Sequence, residues 1–71
     1  MKRYIVFALN YYFFECICKE NDIPKNQAIY FNGDDINKIR GYYNYVMRDK
    51  IKLIGMTKKE FHGYYVGRYG K

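Results

Sequence analysis

The stretch that most constrains the fold of this chain is residues 3–31, where two apolar runs flank a helix-like segment. Residues 4–9 read YIVFAL and residues 28–31 read AIYF. Short apolar runs without polar alternation are typical of strands buried on both faces, as in parallel sheets. The residues between them, 11–21, carry apolar side chains at helical spacing. We therefore predict a strand, a helix and a second strand parallel to the first.

Local signals at both ends of the predicted helix support this assignment. Asn10 precedes the helical spacing, and its short side chain can accept a hydrogen bond from a backbone N–H of the first turn. Asn21, Asp22 and Pro24 follow it, and a residue that precedes proline is disfavoured in the α region. The helix is therefore expected to begin after Asn10 and to end near Asn21.

A second helix is predicted after the turn signal Asn32-Gly33, because Asp34 and Asp35 favour a helix start and apolar residues follow at helical spacing. Its end is left open by Gly41. Either this glycine stops the helix and residues 44–47 or 51–54 form a third strand, or the helix continues to Arg48. The second alternative costs about 1 kcal/mol for one glycine in a helix interior.

The sharpest local signal lies in the last fifteen residues. Thr57 and Glu60 have the spacing of a capping box, and Met56 and Phe61 have the spacing of a hydrophobic staple. A third helix is therefore predicted from Thr57. Gly67 is expected to end it.

These elements predict one α/β domain over residues 1–71, because a chain this short has no room for a second core. Residues 3–31 form its strand–helix–strand scaffold, and residues 34–71 form a basic, tyrosine-rich half. The alternative is an all-α bundle with a helix-turn-helix, in which Lys25, Asn26, Gln27 and Tyr30 would face a DNA major groove.

Charge is distributed unevenly along the chain. The net charge is +6; residues 1–37 hold four basic and five acidic groups, a net −1, and residues 38–71 hold nine and two, a net +7. This asymmetry indicates that the C-terminal half faces an anionic partner, which is either a nucleic acid or an acidic protein surface.

Aromatic and basic residues alternate in that half. Guanidinium and ammonium groups pair with phosphates, and tyrosine rings stack on unpaired bases. Tyr43, Tyr64 and Tyr65 are assigned to the core. The predicted contact residues for a nucleic acid or an acidic host protein are Arg40, Tyr42, Tyr45, Arg48, Lys50, Lys52, Lys58, Lys59, His62, Arg68 and Tyr69.

Composition argues against several kinds of chemistry. The chain has no serine, one histidine and two cysteines, and no glycine-rich phosphate-binding loop follows the first strand. We predict a non-enzymatic protein without catalytic residues, metal or cofactor. The apolar start reaches Asn10 too soon for a signal peptide or a membrane span, so a cytoplasmic protein is expected.

Three strings of the N-terminal part carry a resemblance. Residues 11–21 read Y-x-x-F-x-x-x-C-x-E-N, residues 28–30 read A-I-Y, and residues 38–41 read K-I-R-G. Through these three strings, residues 4–41 resemble small uncharacterised α/β proteins of phages. The resemblance implies the same scaffold and transfers no active site.

The resemblance also implies a setting. It points to a phage or mobile-element accessory protein in the host cytoplasm that engages a nucleic acid or a host nucleoprotein complex, and inhibition of a host nuclease or defence system is its expected purpose. A purely protein-binding inhibitor or adaptor is the alternative.

A homodimer that pairs exposed sheet edges is also expected.

Overall fold

A computed structural model of the chain describes residues 2–32 and 36–69. Strands and helices alternate along these residues. The strands are β1 (Tyr4–Phe7), β2 (Ala28–Phe31) and β3 (Lys52–Ile54). The helices are α1 (Tyr11–Glu20), α2 (Ile36–Met47) and α3 (Lys58–Tyr69), and a single 3-10 turn, Lys25–Gln27, precedes β2.

The three strands form one parallel sheet in the order β2-β1-β3. This confirms the predicted α/β class and the predicted strand–helix–strand scaffold. It does not favour the all-α alternative, because the recognition helix would have to include residues of Ala28–Phe31, which form the strand β2.

Consecutive residues of the central strand β1 enter two different cores. Val6 packs with the buried residues of the α1 side, which are Phe14, Cys18, Ile23 and Ala28. Ile5 packs with the buried residues of the α2 and α3 side, which are Ile29, Phe31, Ile39, Val46, Ile51 and Phe61. The sheet therefore lies between α1 on one face and α2 with α3 on the other. This explains the uninterrupted apolar sequence of β1.

The predicted caps of α1 are present. The Asn10 side chain accepts a hydrogen bond from the Phe13 N–H at 3.0 Å. At the other end Asp22 adopts a left-handed φ of 55°, and the Ile23 N–H donates to the Cys18 carbonyl at 2.8 Å. Together with the Asp22 N–H, which donates to the Lys19 carbonyl at 3.3 Å, this hydrogen bond forms the Schellman motif that ends many helices.

The two alternatives for Gly41 are both realised in part. α2 continues through Gly41 to Met47, and a third strand then forms at Lys52–Ile54. The helix tolerates this glycine because its other face is anchored by the buried Ile39 and Val46. The predicted start at Asp34 and Asp35 lies outside the described residues.

The capping box at the start of α3 is confirmed. The Glu60 carboxylate accepts a hydrogen bond from the Thr57 N–H at 2.9 Å, and the Glu60 N–H donates to the Thr57 hydroxyl at 3.2 Å. The predicted stop at Gly67 is wrong, because α3 extends to Tyr69. Its last turn is held by tertiary contacts: the Tyr69 ring packs on Tyr65 at 5.0 Å and under the Arg40 guanidinium at 5.7 Å.

The capping box makes the stability of the protein depend on pH. The pKa of Glu60 lies below its ordinary value of 4.5. The largest cause is the hydrogen bond from the Thr57 backbone N–H, and the second is the hydrogen bond from the Thr57 hydroxyl. A carboxylate with a lowered folded pKa stabilises the fold above its unfolded pKa, and this stabilisation is lost as the pH falls through the folded pKa. We expect the melting temperature of the wild type to fall relative to that of Glu60→Gln, which keeps the acceptor without titrating, between about pH 5 and pH 3. Equal pH profiles in thermal melts would contradict this role of Glu60.

Candidate nucleic-acid interface

α2 has a buried face and an open face. Ile39 and Val46 are buried, and Tyr43 packs beside them. Gly41, Tyr45 and Arg48 follow one another at intervals of four and three residues, so they lie on a different stripe of the helix surface. A Cβ atom placed on Gly41 would meet nothing within 4 Å. The open stripe therefore has a gap at Gly41, beside an exposed tyrosine and an arginine.

The end of α2 brings Lys50 back to this stripe. Asp49 adopts a left-handed φ of 57°, the Asp49 N–H donates to the Val46 carbonyl at 3.1 Å, and the Lys50 N–H donates to the Tyr45 carbonyl at 2.8 Å. This is again a Schellman motif, and it reverses the chain direction within two residues. Lys50 is thereby fixed beside Tyr45, before the buried Ile51 leads into β3.

The parallel sheet adds a residue from the other end of the sequence. β1 pairs with β3 in the register Tyr4 to Lys52, and the Lys52 N–H donates to the Arg3 carbonyl at 2.9 Å. The residues just before the two strands therefore meet at the same edge of the sheet. Lys2 reaches the same cleft as Lys50 in this way.

Together these residues line a cleft of about 920 Å³ at the edge of the sheet where the strands begin. The Tyr42 and Tyr45 rings have centroids 6.1 Å apart and planes inclined by 51°. Tyr45 is 55% exposed, so much of its ring is open to solvent. The described residues that line the cleft are Lys2, Gly41, Tyr42, Asn44, Tyr45, Arg48, Lys50 and Ile51.

The lining residues make the cleft electropositive. Lys2, Arg48 and Lys50 contribute three positive charges, and the Lys2 ammonium also donates a hydrogen bond to the Ala28 carbonyl of β2 at 3.4 Å. None of the described lining residues is a carboxylate. Arg48 and Lys50 also follow the C-terminal end of α2, where the helix dipole favours cations, so the same charges stabilise the fold. The cleft can accept a flat aromatic group beside a negatively charged one.

Four of the eleven predicted contact residues line the cleft: Tyr42, Tyr45, Arg48 and Lys50. Lys52 lies exposed at the start of β3, and Lys59 lies exposed on α3. These two are outside the cleft lining.

The other predicted contact residues engage in contacts within the chain. Lys58 forms an ion pair with Asp49 at 2.7 Å, which joins the start of α3 to the end of α2. His62 shares a hydrogen bond with the Tyr43 hydroxyl through its Nδ1 atom. Arg40 and Tyr69 stack on each other, as do Arg68 and Tyr64, the latter at 4.9 Å. These side chains link α2 to α3 or cover tyrosine rings of α3.

The predicted core tyrosines pack as expected. Tyr43, Tyr64 and Tyr65 are half-buried against the core that lies between the sheet and the helices α2 and α3. Tyr43 stacks between Tyr65, at 3.9 Å, and Phe61, at 5.9 Å.

Sequence reasoning missed four cleft residues, which are Lys2, Gly41, Asn44 and Ile51. The signal for Lys2 is its position two residues before the first strand, since parallel strands begin at the same end of a sheet. It could be used only once a third parallel strand was certain. The sequence predicts Gly41 only as an alternative end of α2. The open space around it depends on tertiary packing, which the sequence does not show.

The two cysteines pack within the fold. Cys18 is buried in the core beneath α1, and Cys16 is half-buried; both are free thiols. Burial raises the pKa of the Cys18 thiol above its ordinary value, which disfavours the reactive thiolate.

The fold and the cleft define a small three-layer α/β domain with a basic, tyrosine-lined cleft at the edge where its strands begin. Comparisons with protein-family models, with curated proteins and with solved structures find no match. Over the two described ranges, no helix is long and apolar enough to cross a membrane.

Proposed function

We propose that this protein binds single-stranded nucleic acid without enzymatic conversion, through the cleft between the end of α2 and the start of β1 and β3. The observation that carries the proposal is the grouping of two tyrosine rings with Lys2, Arg48 and Lys50 in one concave surface. Stacking rings beside a cationic track are the recurring means by which proteins hold unpaired bases.

The geometry divides the work between rings and charges. The exposed face of Tyr45 offers a stacking surface for a base, which is worth about 1–3 kcal/mol. Arg48 and Lys50 lie on either side of the turn at Asp49 and can pair with the phosphate that precedes or follows that base. Gly41 leaves the floor of the cleft open to the sugar or the base.

A single strand fits this surface better than a duplex. In a duplex the base faces are covered by their neighbours, so a tyrosine ring cannot stack on them without unpairing. α3 does not present an uninterrupted basic face to a groove, because Glu60, Gly63 and Val66 lie between its cations. The resemblance of residues 4–41 to phage proteins supports a setting in an infected host, where inhibition of a nuclease or defence system is the expected purpose.

Filling the cleft tests the proposal. We expect Gly41→Leu to weaken binding of a labelled single-stranded oligonucleotide about 5- to 150-fold in fluorescence anisotropy at about 50 mM salt, since each lost stacking contact is worth about 1–3 kcal/mol. The matched control is Gly67→Leu, which places the same side chain in open space on α3. Both changes remove a helix glycine and are expected to raise stability by up to about 1 kcal/mol.

The salt dependence of the wild type gives a second readout. Three phosphate contacts predict a slope of log K against log salt of about −2 for a single strand. If the wild type binds neither DNA nor RNA strands at about 50 mM salt, the proposal is wrong, and the acidic protein surface becomes the partner to seek. Equal losses in Gly41→Leu and Gly67→Leu would remove the cleft as the site.

A further inference from the structure

At the other end of the sheet, where the strands end, an exposed leucine side chain lies beside an apolar cavity. Leu9, two residues after the end of β1, is 85% exposed. Next to it lies a cavity of about 270 Å³ lined by Phe7, Ala8, Leu9, Met56 and Tyr64. Tyr12 and Phe13, which touch each other at 5.5 Å, are 68% and 44% exposed on the first turn of α1.

Leu9, Tyr12 and Phe13 are three exposed apolar side chains within five residues of the chain, and a partner normally covers such a cluster. α1 already buries Phe14 and Cys18 against the sheet, so Tyr12 and Phe13 add apolar surface on a side of the helix that faces solvent. Lys19 and Glu20 continue this side of α1, so its apolar surface is confined to the first turn, next to Leu9. A surface of this kind on a small domain marks an interaction site.

We infer that this surface binds a second copy of the chain, with Leu9 of each copy seated in the cavity of the other. A two-fold interface requires a self-complementary patch, in which one part of the patch fits another part of the same patch. An apolar side chain that stands beside an apolar cavity meets this requirement, and the cavity has room for a leucine.

Charge favours this end of the sheet over the basic cleft as the place where two copies meet. Two chains of net charge +6 repel each other wherever their basic surfaces meet. The cavity is lined by uncharged residues, and Arg68 lies over the ring of one of them, Tyr64. The basic cleft is at the other end of the parallel strands and stays open when two copies meet here.

Backbone pairing along the outer strands β2 and β3 is a poorer dimer contact than this apolar surface. On β2, two carbonyls are occupied by lysine side chains: Lys38 donates to Tyr30 at 3.1 Å and Lys2 donates to Ala28 at 3.4 Å. Such lysines block the addition of another strand. β3 comprises three residues, Lys52–Ile54, and offers few backbone groups to pair.

Sedimentation of the full chain tests the inference. We expect the wild type to sediment with twice the chain mass of 8.7 kDa, and Leu9→Lys to sediment with the mass of one chain. Val66→Lys makes the same charge change at an exposed apolar residue of α3 and is expected to keep the mass of two chains. Circular dichroism checks that both variants are folded.

A complementary pair identifies the contact itself. Met56→Glu places a carboxylate at the cavity and is expected to be monomeric alone. Mixed with Leu9→Lys, it is expected to restore the mass of two chains, because one lysine then meets one glutamate while the other contact stays native. A wild type with the mass of one chain, a dimer that persists in Leu9→Lys, or a mixture that stays monomeric would each overturn the inference. These outcomes do not depend on nucleic-acid binding.

Discussion

Reversing two cleft charges, Arg48→Glu together with Lys50→Glu, is expected to lower the affinity for a single-stranded oligonucleotide by about 10- to 100-fold at low salt. The double change removes two attractions and adds two repulsions, each worth about 0.2–1 kcal/mol for exposed charges. It is also expected to reduce the slope of log K against log salt by about 1.4, which is 0.7 for each lost phosphate contact. Anisotropy titrations at several salt concentrations measure both quantities.

The control for this prediction changes the same number of charges elsewhere. Lys19→Glu together with Lys59→Glu alters two exposed lysines, one on α1 and one on α3, and lowers the net charge by the same amount. If binding depends on the cleft, the control keeps most of its affinity. If the two double variants lose affinity equally, only the net charge matters and the cleft has no special role.

The N-terminal scaffold could be predicted from the sequence because its signals are local. Asn10 needs only its neighbour Phe13 to act as a cap, and the alternation of Ile5 and Val6 between two cores follows from the pleat of any strand. The capping box of Thr57 and Glu60 is likewise complete within four residues. Such features do not depend on the rest of the fold.

Features that depend on distant packing were not predictable in the same way. α2 passes Gly41 because Ile39 and Val46 are held in the core, and α3 passes Gly67 because Tyr69 packs on Tyr65 and Arg40. In both helices tertiary contacts offset the cost of a glycine, which is about 1 kcal/mol.

The candidate site shows the same division. The C-terminal stripe of α2 could be read from the spacing of Tyr45 and Arg48, and both line the cleft. Lys2 joins them only through the pairing of β1 with β3, which are separated by more than forty residues of sequence. Arg40 and Arg68 have the same composition signal as Arg48, yet each stacks on a tyrosine of the chain itself. Composition alone cannot distinguish a cation that stacks within the fold from one that lines a cleft.

Replacing Phe61 by alanine is expected to have the largest effect on stability. Phe61 is 0% exposed, and its ring meets Phe7 at 5.8 Å and Tyr43 at 5.9 Å, so it joins α3 to the sheet and to α2. Removal of a buried phenylalanine side chain costs about 3–5 kcal/mol. A domain of this length has a total stability of about 4–11 kcal/mol.

Phe61→Ala is therefore expected to unfold at room temperature or to melt far below the wild type. Chemical denaturation followed by circular dichroism measures the loss, and Tyr45→Ala is the control. It truncates an exposed aromatic side chain on α2, and the expected change is within about 0.5 kcal/mol. A Phe61→Ala protein with a denaturation midpoint close to that of the wild type would contradict the packing of α3 on the sheet. It would also remove the support that this packing gives to Tyr43 and hence to α2, on which the cleft is built.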